Sequence, residues 1–517
     1  FQARVELDSF HLSLGNGLRG QWGVWAEGRG LRIWLPANHP GGEELSSGTP
    51  AQVAGIDRPP TAQPVEPLIR LDEFRFHAPL RYQPGAPLHV SDVQLKGLAV
   101  DLPPRSHFLR MLATAGGRVG APHPHGAGPL VGFRVDAIEC TGAHLTLETS
   151  TPGKLPLQIA IAHFKLDDVT ANGAMHFDAE LTNPRPVGTI HTTGSFGPWQ
   201  GPDPGESPIA GDYRFDHADL ASFKGIAGIL SSTGRYQGTL RDITVDGQTD
   251  TPDFRLSHFG NALALHTRFH ARVDGTNGDT WLDPVEATLG HSHLTVRGQI
   301  VRVLAAEADG PPHSVGHDIA LAVSVDRGRI EDFLRLASHE STPLLTGDVT
   351  VKATLHIPPG PAPVHERMTM NGSFALDQVQ FTSAKIQDRI RELSLRGQGR
   401  LDDLKAANPG RIESRMGGDF KIAGGVITLP NLDYTVPGAD IQLQGTYGIE
   451  SGALSFAGTA RMQATISQMV GGWKGLLLKP ADRFFRKNGA GAQIPLHIRG
   501  TRQSPDFGID FNRIKAN

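Results

Sequence analysis

One cysteine, Cys140, is all that 517 residues contain, so neither an intrachain disulfide nor a cysteine-built metal cluster can form. A chain without disulfides suits the cytoplasm, and equally a periplasmic protein that never needed bridges. Aromatic residues make up only 7% of the chain and hydrophobic residues 38%, enough for a core but thin at this length. No uncharged apolar run in the sequence approaches the ~20 residues that a membrane-spanning helix needs. Any anchor is therefore expected upstream of Phe1, where the chain begins without a methionine. An excess of either charge is missing too: 49 Lys and Arg stand against 53 Asp and Glu, for a net of −4. Such a chain offers no global field to nucleic acid, which is not an expected partner.

Signatures of catalysis are equally scarce. There is no G-x-x-x-x-G-K-[ST], no H-E-x-x-H and no G-x-S-x-G. Gly15, Gly17 and Gly20 match G-x-G-x-x-G, but the aromatic, glycine-rich QWGVWAEGRGLRIWL follows. That stretch reads as strand, whereas a dinucleotide site needs a helix N-terminus at the pyrophosphate. His291 with His293, and His266 with His270, sit at spacings that share a face of a strand. Zinc would want more converging ligands, and the polar side of a strand accounts for these histidines without a metal. Asp274, Asn277, Asp279 and Asp283 crowd one turn but miss the calcium-loop spacing, so a hairpin is the preferred reading. Asp167–Asp168 and Asp402–Asp403 are neighbours that point to opposite faces if extended, so they cannot pair as acid and base. Neither an enzyme, a cofactor nor a metal is expected.

What the sequence does have is turns and alternation. Glycine (62) and proline (38) are abundant, which favours many short connections over long helices. Period-2 patterning recurs from end to end. In 263–273, Leu263, Leu265, Phe269, Ala271 and Val273 share one face with Thr267, while His266, Arg268, His270 and Arg272 share the other. Extended, this stretch spans roughly 36 Å, about twice an ordinary strand. Val351, Leu355 and Ile357 repeat the pattern, as do Ile319 to Val325, Ile441 with Leu443, and Leu496 with Ile498. One face of each strand is dry and one wet, as in an antiparallel sheet open to water on one side. Asn277–Gly278 between two alternating runs signals a hairpin. Breaks rich in proline and glycine at 36–67, 103–129, 197–208 and 358–365 read as surface loops or disorder.

A repeat shows faintly. FDHADLASF (215–223) and VDRGRIEDF (325–333) share the spacing of Asp216, Leu220 and Phe223 with Asp326, Ile330 and Phe333, and FALDQVQF (374–381) is a partial third copy. Each full copy reads as a strand running into a short helix, which suggests similar modules sharing one sheet. Helices are expected at 218–231, 328–338, 385–392 and 463–486. The last of these is amphipathic. Ile466, Met469, Val470, Trp473 and Leu477 fall at helical spacing, Phe484 and Phe485 follow, and 461–487 carries a local net of +5. Trp473, Lys474, Lys479, Arg483, Phe484, Phe485 and Lys487 are candidates for contact with an anionic membrane or a partner. A helix that merely caps the sheet would read the same way.

Several segments resemble the AsmA-like family of bacterial envelope proteins. They are YQGTLRDITVDGQTDTPDFRL (236–256), VDGTNGDTWLDPVEATLGHSHLTVRGQI (273–300), GSFALDQVQFTSAKIQDRIRELSLRGQGR (372–400) and GLLLKPADRFFRKNGAGAQIPLHIRGTRQSPDFGID (475–510). The resemblance covers 131–517, with 1–130 as an N-terminal β region rich in Pro/Gly loops. It implies a periplasmic body on an inner-membrane anchor in a Gram-negative-type envelope. It also implies a long taco-like β-groove that binds or conducts lipid, phospholipid above all, with envelope proteins as further partners. The fold expected is thus mainly β: an elongated, repeat-built antiparallel groove with a few short helices. Leu263, Leu265, Phe269, Val273, Val351, Leu355, Ile357, Ile441 and Leu443 are the candidate lipid-facing residues. The alternative is a β-sandwich scaffold or adaptor assisting outer-membrane assembly, its core full and no lipid carried.

Overall fold

A computed structural model describes residues 4–17, 20, 22–34, 67–80, 88–102, 133–147, 149, 151, 154–170, 173–200, 203–223, 225–257, 260–305, 313–338, 342–405, 412–449, 451–470, 482 and 491–509. The protein is mainly β: one large, curled, antiparallel-rich sheet forming a half-barrel, with a few short helices. Each strand pairs with its neighbour in sequence almost throughout, from the Ser9–Asn16 strand at one edge to the Ser504–Ile509 strand at the other. Leu88–Leu102 and Phe133–Leu147 run parallel. This pairing falls where the N-terminal region meets the rest, so both parts share a single sheet.

The strand ends form two rims. The first carries the turn at 184–187, the turn at 219–229, the loop at 256–263 and the hairpin at 289–292. The second carries the hairpins at 239–242, 273–280, 448–453 and 501–504. Among the described residues three α-helices lie on the first rim, and the four-residue Val364–Arg367 helix lies on the second. Ile330–Leu336 covers a cluster of Leu345, Val349, Leu376 and Val379, while Ala384–Gly397 and Ile466–Val470 cover Val436, Ala439, Ile441, Ala460 and Met462. The closed core therefore sits under helices along one rim rather than along the middle of the sheet.

The helix expected at 218–231 is not formed. Pro208–Asp219 is strand, Leu220–Ser222 is a single 3-10 turn capped by the Asp219 carboxylate accepting from Ala221 N, and strand resumes at Ile226. Gly225 and Gly228, at φ 117° and 137°, bend the chain where a helix would have continued. At 325–333 the expected transition does occur, strand to Arg329 and then helix. The helix near 385–392 is longer than expected, Ala384–Gly397. Of the 463–486 segment, Ile466–Val470 is helical; Trp473, Lys474, Lys479, Arg483, Phe484, Phe485 and Lys487 lie outside the described residues.

The aspartates of the repeat, Asp216 and Asp326, and Asp377 in the partial copy, each stand at a register irregularity. At Asp216–Ala218 and Asp326–Gly328 a bulge shifts the register, and at Asp377–Val379 the middle residue, Gln378, is left-handed (φ 54°), as His217 is at 55°. Each bulge turns the next residue inward, leaving Ala218 at 0% and Val379 at 1% exposure.

Candidate functional site

Cross-strand register places one residue per strand in continuous rows across the sheet. One row starts at Leu12 and passes through Ala26, Phe76, Val93, Ile138 and Leu166. It continues through Phe177, Gly194, Gly211, Tyr236, Val245, Ala271, Leu282, Gly298 and Leu321. It ends through Leu355, Met370, Ile422, Ile427, Tyr447, Leu454, Gly500 and Pro505. No charged side chain interrupts it. At roughly 4.8 Å per strand, this apolar row runs about 105 Å measured along the sheet. Its neighbour on the opposite face is Glu27, Arg75, Gln94, Glu139, Lys165, Asp178, Thr193, Asp212, Arg235, Asp246 and His270. The two faces are chemically opposite.

A second apolar row holds Phe269, Val285, Val296, Val323 and Ala353. Leu263, Leu265, Phe269, Val273, Val351, Leu355, Ile357 and Leu443 all lie on this face and are half-buried. Among them Val273 aligns with Ile300, Ile319 and Ile357 through Thr280, and Val351 aligns with Val325 and Phe374. Ile441, 9% exposed, belongs instead to the helix-covered cluster. Large apolar groups are thus left half-open along the middle of the trough, while His266, Arg268 and His270 are exposed on the other face. His266 and His270 pair there with Asp250 and Asp246 at 2.7 and 2.8 Å, the ordinary business of a wet face.

The trough floor has one polar stretch that the sequence reading did not single out. Thr192 Oγ1 lies 2.7 Å from Tyr236 Oη and donates to the Asp212 carbonyl; Tyr213 Oη lies 3.0 Å from Ser232 Oγ, which donates to the Gln248 carbonyl. Thr249 and Thr267 hydroxyls are 2.7 Å apart. Burial raises the Tyr213 and Tyr236 pKa values above the usual phenol value, their hydroxyl partners opposing it. Glycines let the rings lie flat: a Cβ at Gly247 would fall 2.5 Å from Tyr213 Oη and 2.7 Å from Phe269 Cζ. An open depression of about 750 Å³ lies behind this stretch on the charged face, where Asp250, His266, Arg268, Glu286, His293 and Arg327 are among its lining residues. The signal was legible only in hindsight, as Gly–aromatic pairs that become neighbours through register.

Other polar groups are tied into the frame. Asp274 accepts from Thr276 N, Thr276 Oγ1 and Asn277 Nδ2, and Asp283 pairs with Arg297 at 3.0 Å. His293 meets Thr288, and His291 lies in the hairpin, 83% exposed, before the Ser292–Ala305 strand starts. The glycine-rich 15–20 segment leads into the Trp22–Trp34 strand, with Gly17 packed against His77. His77, Ser91 and Asp92 form a buried chain, but the Ser91 hydroxyl sits between the ring and the carboxylate. A nucleophilic triad needs the imidazole in the middle, so this order does not supply one. Among the described residues no group of three or more His, Cys, Asp or Glu side chains is placed to hold a metal. No helix among them is long and apolar enough to cross a membrane.

No protein-family model matches the chain, and no curated protein or solved structure matches it either. The reading of its role rests on the trough itself.

Proposed function

We propose that this is a non-enzymatic AsmA-like envelope protein that binds or conducts lipid acyl chains along the apolar trough. The supporting observation is the uncharged row from Leu12 to Pro505, with half-open large apolar side chains on either side of it. Apolar surface left in water costs ~25 cal/mol per Å², and methylene chains are the cargo that relieves this without needing a hydrogen-bond partner. A sandwich scaffold would cover the face with a second sheet. Here the described strands form one sheet, and the helices that cover its two buried clusters lie along one rim. On this reading the protein works in the periplasm, held at the inner membrane by a segment upstream of Phe1. Its basic 463–486 segment then meets an anionic membrane or an envelope partner.

The test is extraction of the purified protein with organic solvent, followed by mass spectrometry, with a photo-crosslinker placed in turn at Phe269 and Arg268. Co-purifying lipid, captured at Phe269 and not at Arg268, is the expected result. Equal capture at both positions, or no lipid at all, overturns the proposal.

A further inference from the structure

Among the described residues the rims of the trough touch at three places. At the first, Leu157 N donates to the Thr276 carbonyl at 3.0 Å. Beside it Lys154 Nζ lies 2.8 Å from the Asp279 carboxylate and donates to the Arg302 carbonyl at 2.7 Å, while Arg302 Nη1 donates to the Asn277 carbonyl at 3.0 Å. At the second, a Cβ on Gly225 would lie 3.3 Å from Val364 Cβ. At the third, Arg502 Nη1 reaches Ser338 Oγ at 3.4 Å. Each contact joins a loop on the first rim to the loop seven strand positions further along on the second, a shift of about 34 Å. A constant offset is what tilted strands produce when a sheet curls until its rims meet. The contacts therefore belong to the coil of the sheet and not to chance loop packing.

Such contacts lie where a lipid in an open trough would project its headgroup into water. The first is the tightest, since Lys154 and Asp279 are only 15% and 8% exposed and a shielded pair does not separate freely. We propose that the Lys154–Asp279 latch sets the cargo class. Amphiphiles with a small polar end, such as a fatty carboxylate, move beneath the joined rims, whereas phosphodiester headgroups pass only when the latch opens. This inference rests on the lipid reading above and adds specificity to it.

The test compares uptake of pyrene-decanoic acid and pyrene-labelled phosphatidylglycerol from vesicles, as molecules bound per chain with time. The variant Lys154→Met/Asp279→Asn removes both charges and leaves neither orphaned. It should raise phospholipid uptake roughly fivefold or more and leave fatty-acid uptake within about twofold. A second arm uses Gly225→Cys/Val364→Cys with Cys140→Ala, compared only with its own reduced form because Gly225 is left-handed. Oxidation should slow the phospholipid alone, and reduction should restore it; this arm decides if the latch variant does not fold. Equal responses of both ligands, or none, overturn the latch while leaving the lipid reading standing. Failure of the unaltered protein to take up either ligand overturns both.

Discussion

Replacing Val323 with aspartate puts a charge on the trough floor without disturbing a packed core. Val323 is half-buried on the apolar face, between Val296 and Ala353 in register. A strand spacing of about 4.8 Å matches roughly four methylenes of an extended chain lying across the strands. At ~0.8 kcal/mol per buried methylene, turning that rung polar removes about 3 kcal/mol from a bound chain, over a hundredfold in affinity. Ala322 supplies the control. It is exposed on the opposite face of the same strand, between Arg297 and Thr354, where an aspartate meets a cation. Both variants are purified, their unfolding midpoints in urea compared, and bound lipid measured by extraction and mass spectrometry. Val323→Asp should retain little lipid and Ala322→Asp as much as the unaltered protein. Equal retention by two folded variants would refute the placement of cargo on this face.

Three further outcomes follow from particular contacts. Gly247→Ala should lower stability by about 1–3 kcal/mol in urea unfolding, because its Cβ would meet Tyr213 and Phe269 at 2.5–2.7 Å; an unchanged midpoint would show that the rings do not lie over the glycine. Asp332→Ala should destabilise by about 3 kcal/mol, since the buried carboxylate accepts from both His291 N and Ser292 Oγ. Hydrogen exchange should then rise in the Ile330–Leu336 helix, and no change in exchange would count against the anchor. Burial, and then the nearby Arg302, lower the His317 pKa below its usual 6.5. Above 6.5 both folded and unfolded forms are neutral there. Below it the unfolded chain takes up a proton first, so stability falls with acidification until the lower folded pKa is passed. His317→Gln should flatten that part of the stability–pH curve, and an unaltered slope would remove the effect.

How much of this was written in the sequence depends on the range of the interaction. The period-2 pattern of 263–273 fixed which side chains share a face, because adjacent strand residues point apart whatever the partners are. The observed exposure of His266, Arg268 and His270 follows it. The Asn277–Gly278 turn was legible for the same reason, being local, though its loop is larger than a two-residue turn: Asp274 N donates to the Asp279 carbonyl. The 218–231 segment misled because its apolar spacing suits a helix, while Gly225 and Gly228 and the next strand's hydrogen bonds favour extension. Only the tertiary structure joined Lys154 to Asp279, 125 residues away, or laid Tyr213 over Gly247. Register between strands and the coil of the whole sheet decide those meetings. They are sums over every pairing and bulge from one edge to the other, and no window of sequence contains them.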